Sequence, residues 1–455
     1  FCISSTMGFG KTLVCLVAAK VAAGRGYKTL IAVESQAAKT TWKTEHLNLE
    51  YTKDLRVGVF VGTPKQREKL LDEDFDVYIV PYTLLKWMVE RKKRLPKFDL
   101  VFADEANIIK GGTSKFRKAL CEFSDSASIR IAITGTPRAK DEMDFFGIMR
   151  FIDLGATLGP NITSFYDSYC RSISIGKGNM IHKIRSRRVA EQIRNMCAPY
   201  FRNYAAPDKA VIPIETHIVR FDLSPASRRL YDEFDAMGMK ALEKLIRLSD
   251  EEHKPFNKVH HLNKLSFLTS GFIYRNVVDV LTMEEMRLRS AAELLAMRKA
   301  EAVDLFNDRQ VQMYKLAQHI ARHHPDSGMV ICYNAKQELA HLKQMFPNAI
   351  TDTDKDFVDR YNNGNREVLL LQYQRSGKAL NLQHGGNVVV FYSMVFDFVN
   401  TYQIVRRVAR QGQKADKVHL YILLANNTRD EAKLERIEER ERLHEEFAAA
   451  TIIRV

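Results

Sequence analysis

Close to the start of the chain, residues 5–12 read Ser-Thr-Met-Gly-Phe-Gly-Lys-Thr, after a short apolar run and before an Ala-rich stretch with helical patterning. Strand, loop and helix in that order form the setting a phosphate-binding loop requires. In the segment Gly8, Phe9 and Gly10, the two glycines let the backbone turn its N–H groups toward phosphate oxygens. The N-terminus of the next helix adds partial positive charge at the same place. Lys11 is placed for the β- and γ-phosphates of ATP, and the Thr12 hydroxyl for magnesium. Ser5 stands where the general motif has its first glycine. Taken alone, a Gly-rich turn with a chance Gly-Lys-Thr is the lesser alternative. A second feature weighs against that: residues 98–107 form an apolar run ending in Asp104 and Glu105. Adjacent acids at a strand end can divide two tasks, Asp104 holding the magnesium shell and Glu105 orienting and deprotonating a water. An isolated Asp-Glu pair is also common as the acidic N-cap of a following helix.

The elements that must position these groups are legible as apolar runs. Strands are expected at Thr29–Val33, 57–61, 77–80, Leu100–Ala103 and 129–133, with helices such as Lys11–Ala23 and 37–47 between them. Near-continuous apolar strands separated by helices indicate a parallel sheet covered on both faces. Ligands of such sheets sit at the C-terminal strand ends, where both motifs fall. Residues 139–210 lose the alternation and read as mainly helical, including a basic segment at 182–188. A strand-like run at 216–221 precedes a long charged helical region, about 225–322. Strands return at Met329–Tyr333, 368–371, 388–392 and 418–423, and a charged helical tail spans about 428–449. The expected fold class is α/β, with a first lobe at 1–138 and a helical insertion and linker at 139–210. A second lobe follows at 211–449, itself interrupted by helices at about 225–322.

A length of 455 residues fits two or three domains. No apolar run approaches the ~20 residues a membrane helix needs, so no membrane association is expected. The six cysteines are scattered without a CxxC spacing, which suggests neither a zinc site nor a disulfide framework and fits a reducing intracellular compartment. Sixty-nine Lys and Arg against 55 acids give a net charge of +14, which favours a polyanionic partner once a motif supports it. His260, His261, His323 and His324 lack acidic or cysteine partners at ligand spacing and read as surface or packing residues. Met283, Met286 and Met297 read as core. The basic run 91–94 reads as a solvated face, while 182–188 could equally line a nucleic-acid path.

The motifs together resemble a known family. Ser5-x-x-Gly8-x-Gly10-Lys11-Thr12, Asp104-Glu105-Ala106-Asn107 and Thr134-Gly135-Thr136-Pro137 follow the order and spacing of superfamily 2 helicases. More narrowly, the chain resembles the Swi/Snf-type chromatin-remodeller and DNA-translocase ATPases. Residues 29–45, with Trp42-Lys43-x-Glu45, resemble motif Ia, and 76–86, with Val80-Pro81-Tyr82-Thr83-Leu84-Leu85, resemble the strand before the acidic motif. Ile108-Ile109-Lys110 and Leu223-Ser224-Pro225 also fit. Gln403-x-x-x-Arg407-x-x-Arg410-Gln411-Gly412-Gln413 resembles motif VI, and residues 375–382 resemble motif V, so the resemblance covers nearly the whole chain.

The resemblance implies two RecA-like lobes with helical insertions, ATP and magnesium as ligands, and a nucleic-acid partner, with duplex DNA favoured over RNA. It implies that Arg407 and Arg410 reach the γ-phosphate and that Gln403 belongs to the nucleotide site. Two arginines three apart lie on one helical face and could enter one cleft together. It assigns nucleic-acid contacts to Ser35, Lys110, Thr134, Ser376 and Gly377. Ala379 in place of a glycine, Asn107 in place of a histidine, and Met394–Asp397 without the usual Trp-Asn-Pro pattern point to a divergent branch, a viral or phage one being an option. The chain begins with Phe1 almost on the loop, so it reads as a piece whose start lies upstream, without the family's adenine-reading segment. The leading expectation is an ATP-driven duplex DNA translocase or remodeller. The alternatives are a strand-separating or branch-migrating helicase, and a nucleic-acid-binding protein with an inactive ATPase.

Overall fold

The computed structural model describes residues 1–5, 10–39, 41–47, 49–111, 114–135, 142–174, 180–204, 212–247, 258–275, 301–375 and 380–451. The chain divides into two compact units. One comprises Phe1–Val211, Gly377–Leu380 and Glu439–Val455; the other comprises Ile212–Ser376 and Asn381–Glu438.

The first unit holds β1 (Cys2–Ser5), β2 (Thr29–Val33), β3 (Val57–Val59), β4 (Val77–Pro81), β5 (Leu100–Ala103), β6 (Ile129–Thr134), β7 (Cys170–Ser174), β8 (Met180–Ile184) and β9 (Phe201–Tyr204). Seven of these form one sheet in the order β3-β4-β2-β5-β6-β1-β9, every pair parallel. Alternate residues of each strand feed two separate cores. Leu30, Ala32, Tyr78, Val80 and Val101 pack on one face with Phe98, Phe145, Phe146 and Phe165. Ile31, Val33, Ile79 and Phe102 pack on the other with Leu16, Ala19 and Trp42. Burial on both faces explains why these strands read as unbroken apolar runs. Each buried Leu, Ile, Val or Phe side chain among them contributes about 1.5–3 kcal/mol of burial free energy.

Two expectations for this unit change. The helix expected at 37–47 is replaced by Ser35–Lys39, Thr41–Thr44 and a 3-10 turn at Glu45–Leu47. Buried Trp42 is drawn into a hydrogen bond with Asp104, a tertiary contact that local helical patterning does not register. Within 139–210, helices Asp144–Asp153, Ile162–Tyr169 and Arg187–Cys197 are joined by the antiparallel pair β7-β8 and by β9, which adds to the sheet beside β1. Strand β8 is mostly exposed, so it carries no continuous apolar run to announce it. The basic run at 91–94 is tied down on the surface, with Arg91 on Glu68 and Arg94 on Glu68 and Asp72. In the 182–188 segment, His182 stacks on Tyr166 and Arg185 donates to the Cys170 carbonyl.

The second unit holds β10 (Ile214–Phe221), β11 (Phe272–Arg275), β12 (Glu301–Asp304), β13 (Met329–Tyr333), β14 (Ile350–Thr351), β15 (Val368–Gln372), β16 (Val388–Phe391) and β17 (Val418–Ala425). Its main sheet is again wholly parallel, in the order β10-β17-β16-β13-β15-β14. β11 and β12 form a separate antiparallel pair between helices Lys258–Thr269 and Asp308–His323. Met283, Met286 and Met297 lie outside the described residues. A charged cluster sits in the core: Arg309 is fully buried, pairs with Asp430, and donates to the carbonyls of Thr269, Tyr392 and Leu423. Lys433, also buried, approaches the other oxygen of Asp430 at 3.4 Å. Among the described residues no helix is long and apolar enough to cross a membrane. All six cysteines are buried and no disulfide joins them.

Candidate active site

The C-terminal edge of the first unit's sheet gathers the predicted residues of that unit. Gly10 lies in the left-handed region at φ 75°, a conformation glycine adopts without strain, and leads into the helix Lys11–Ala23. That helix start has no side-chain cap and no acidic residue in its first turn. The N-terminus of such a helix carries partial positive charge, which favours an anion. The opposite face of the helix buries Cys15, Leu16, Ala19 and Ala22, which fixes the direction of its N-terminus. Lys11 and Thr12 stand partly exposed at this end, while Gly8 and Phe9 lie outside the described residues.

Two strands away, β5 ends at Asp104, whose N–H donates to the Ala32 carbonyl of β2 at 2.9 Å. β6 lies between β5 and β1, so the acidic pair and the loop start are separated by two strand spacings, roughly 10 Å. A nucleotide's phosphates and a hydrated magnesium fit in that interval. Asp104 is held by two aromatic residues to which the sequence reading gave no role. Trp42 Nε1 donates to its Oδ2 at 3.3 Å, and the Tyr82 hydroxyl donates to its carbonyl at 2.7 Å. Both stand in segments that resemble family motifs, but nothing in their type or spacing announces a tie to Asp104. Burial, and then the neighbouring Glu105 charge, push the Asp104 carboxyl up to about 6, against the opposing effects of Lys11 and the Trp42 bond.

Glu105 adopts a left-handed backbone, φ 48° and ψ 55°. For a residue with a side chain this conformation costs on the order of 1–3 kcal/mol and persists where surroundings impose it. Glu105 Oε2 is buried without a hydrogen-bond partner among the described residues. A buried acceptor left unmet is costly, and an ordered water would satisfy it. Oxygen donors on Thr12 and Asp104 are the hard ligands magnesium prefers, so the residues present fit that ion.

The nucleic-acid candidates occupy varied settings. Ser35, at the start of a helix after β2, shares a 3.0 Å hydrogen bond with Thr83 and is partly exposed. Lys110 lies 3.6 Å from Asp144. Thr134 ends β6, paired in register with Ser4, and is fully buried, so its side chain presents no surface to a nucleic acid. Thr136, Pro137, Ser376 and Gly377 lie outside the described residues.

In the second unit, helix Phe398–Val408 carries Gln403, which is buried, and Arg407, which is partly exposed. The helix ends before Arg410. Ala409 leaves helical geometry, Gly412 takes φ 95°, and Gln413 Nε2 caps the Val408 carbonyl at 3.2 Å. Arg407 and Arg410 are therefore not on one helical face, as their spacing had suggested. They remain close: burial, and then the Arg407 charge, lower the Arg410 guanidinium below its usual range. Asn381 accepts a hydrogen bond from Arg410 and aims it.

A model of the SNF2-related domain matches residues 3–269, more than half of the chain. The chain belongs to the SNF2-related domain family. This is the Swi/Snf-type branch of superfamily 2 that the motifs resemble. The SNF2-related chain is 25% identical to putative protein p41 of Acyrthosiphon pisum secondary endosymbiont phage 1, over 94% of its own length and 90% of the phage protein. It is 23% identical to the DNA repair and recombination protein RAD54B of Homo sapiens, over 94% of its own length but 50% of that protein. Among solved structures, the helicase domain of Hef from Pyrococcus furiosus aligns over 95% of this chain and 94% of its own, with a TM-score of 0.51 and 14% identity. That likeness is one of fold: both parallel sheets correspond to the RecA-like lobes of superfamily 2 cores.

Proposed function

We propose that this chain is an ATP-hydrolysing motor that acts on nucleic acid, with duplex DNA as its track. The observation that carries the reading is the convergence, at one sheet edge, of the helix start after Gly10, which has no side-chain cap, and the Asp104–Glu105 pair, whose Glu105 Oε2 is buried without a hydrogen-bond partner among the described residues. Duplex DNA is supported by family membership, by the name of the human relative as a DNA repair and recombination protein, and by the net charge of +14.

In the proposed reaction the phosphates lie on the helix N-terminus, with Lys11 between the β- and γ-groups. When bound, magnesium held by Thr12 and Asp104 supplies charge neutralisation at the phosphate oxygens. Glu105 orients a water and accepts its proton as the water oxygen bonds to the γ-phosphorus. The bond from that phosphorus to the β-phosphate oxygen breaks, giving ADP and phosphate. Arg407 and Arg410 add permanent positive charge to the transition state, an effect of about 10³–10⁵ in rate for arginine fingers. Ser35, Lys110, Ser376 and Gly377 are proposed to contact the nucleic-acid backbone, which implies weak sequence preference and strong salt dependence.

Steady-state ATPase rates without nucleic acid and with single-stranded DNA, duplex DNA or RNA test this reading, with Glu105→Gln as control. Stimulation by duplex DNA that the variant loses is the expected outcome. Preference for forks or single strands would replace it with a strand-separating helicase. Absence of hydrolysis in every condition would refute the motor.

A further inference from the structure

On the second unit's sheet, outside the segments that resemble family motifs, three potential ligands meet. Glu215 and His217 are two apart on β10 and therefore project from the same face. The parallel register with β17 sets His419 opposite Glu215 and Tyr421 opposite His217. His217 Nε2 and His419 Nδ1 face each other at 3.2 Å. Glu215 Oε1 lies 3.7 Å from His217 Nε2, and its Oε2 lies 3.9 Å from His419 Nδ1. One donor atom from each of the three falls within 4.8 Å of the others.

We propose that Glu215, His217 and His419 form a three-ligand site for a divalent transition-metal ion, zinc fitting best, with a fourth position open to water. The distances carry the argument. Tetrahedral zinc with Zn–N bonds of about 2.0–2.1 Å sets its ligand atoms about 3.3–3.4 Å apart. The two ring nitrogens, 3.2 Å apart, already stand near that separation, and a rotation and shift of the exposed Glu215 side chain would bring one oxygen, which lies within 4.8 Å of both, into place. Facing nitrogens can share one proton between two lone pairs, whereas a metal ion satisfies both. Two imidazoles and a carboxylate suit zinc and its neighbours, while magnesium and calcium prefer oxygen alone. Both rings are braced: His217 stacks on Tyr421 at 4.6 Å, and His419 packs against His324, whose Nε2 is hydrogen-bonded to the Tyr421 hydroxyl at 2.8 Å. Such outer contacts orient metal-binding histidines. The competing cation is Lys417, which pairs with Glu215. Among the described strands, β10 is at the edge of the sheet and pairs with β17. An ion here would therefore fasten the edge strand to its neighbour and leave a solvent-facing coordination position.

The test titrates the untagged full chain, stripped with chelator, with zinc chloride in a calorimeter, alongside His217→Ala, His419→Ala and Lys417→Met. One zinc per chain is expected, with affinity lower in each histidine variant by more than the ~10–100-fold that loss of an outer partner costs. Lys417→Met should bind more tightly, because Glu215 is released. Zinc should raise the melting temperature of the wild type and not of the histidine variants, whose folding is checked by circular dichroism. Equal zinc affinity in the wild type and both histidine variants overturns the site, as does unchanged or weaker binding in Lys417→Met.

Discussion

Replacing Trp42 with Phe would remove one hydrogen bond from Asp104 while keeping an aromatic ring in the core. Trp42 is 2% exposed and its Nε1 donates to Asp104 Oδ2 at 3.3 Å. A hydrogen bond to a charged group contributes about 1.5–3 kcal/mol, and this distance places it at the lower end. That bond favours the ionised carboxylate, so its loss raises the carboxyl pKa by about one unit at 1.36 kcal/mol per unit. Asp104, already held up at about 6 by burial and Glu105, would move toward ~7. In the proposed reaction the ionised form holds magnesium, so activity should be present above this value and lost as pH falls through it. The acid limb of the ATPase pH profile should therefore move upward by about one unit in Trp42→Phe. The shift should appear at limiting magnesium and shrink at saturating magnesium, because the ion competes with the proton. Superimposable limbs at limiting magnesium, in a variant whose melting curve shows it folded, would refute the role given to Trp42 and Asp104.

Asp430→Asn should destabilise the second unit by at least about 3–5 kcal/mol, since it leaves Arg309 and Lys433 as buried charges without their counter-ion; a denaturant titration measures it. Gly147→Ala should cost more than the ~1–3 kcal/mol of ordinary overpacking, because the added carbon would stand 2.1 Å from the Ile109 carbonyl and 2.4 Å from that of Lys110; thermal melting reads the loss. Burial, and then the His419 charge, lower His324 from 6.5 to about 4, so the folded state disfavours its protonated form. The stability this provides is present above pH 6.5 and is lost progressively as pH falls to about 4; His324→Gln should flatten that part of the stability profile.

Much of this molecule could be read before its fold was known, and the reasons are local. Strands β2, β4 and β5 are buried on both faces, so their residues are apolar without interruption. The motif around Lys11 and the pair Asp104–Glu105 are contiguous, because loop and strand-end chemistry is built from neighbours in the chain. What escaped was set at a distance. Trp42 and Tyr82 act on Asp104 from 62 and 22 residues away. The exposed strand β8 lacks the apolar run that would mark it, and β9 is a four-residue strand recognisable only by its partner β1. Arg410 was read as helical from spacing alone, whereas Gly412 and the Gln413 cap end the helix first. Glu215, His217 and His419 become neighbours only through the register of two parallel strands, and histidines sought by spacing along the chain could not reveal them.

The pairing of β10 with β17 also bears on the making of the protein. His217 and His419 are 202 residues apart. At a synthesis rate of about 5–20 residues per second, β10 leaves the ribosome roughly 10–40 s before its partner exists. The first unit waits as well, since the Asn203 N–H bonds to the carbonyl of Thr451. An unpaired strand is a template for aggregation during such a delay, and charged side chains blunt that hazard. Among the eight residues of β10 are Glu215, Thr216, His217 and Arg220, and only Phe221 is buried in the finished sheet. The segment with a long wait for its partner is thus one that can spend the interval in water.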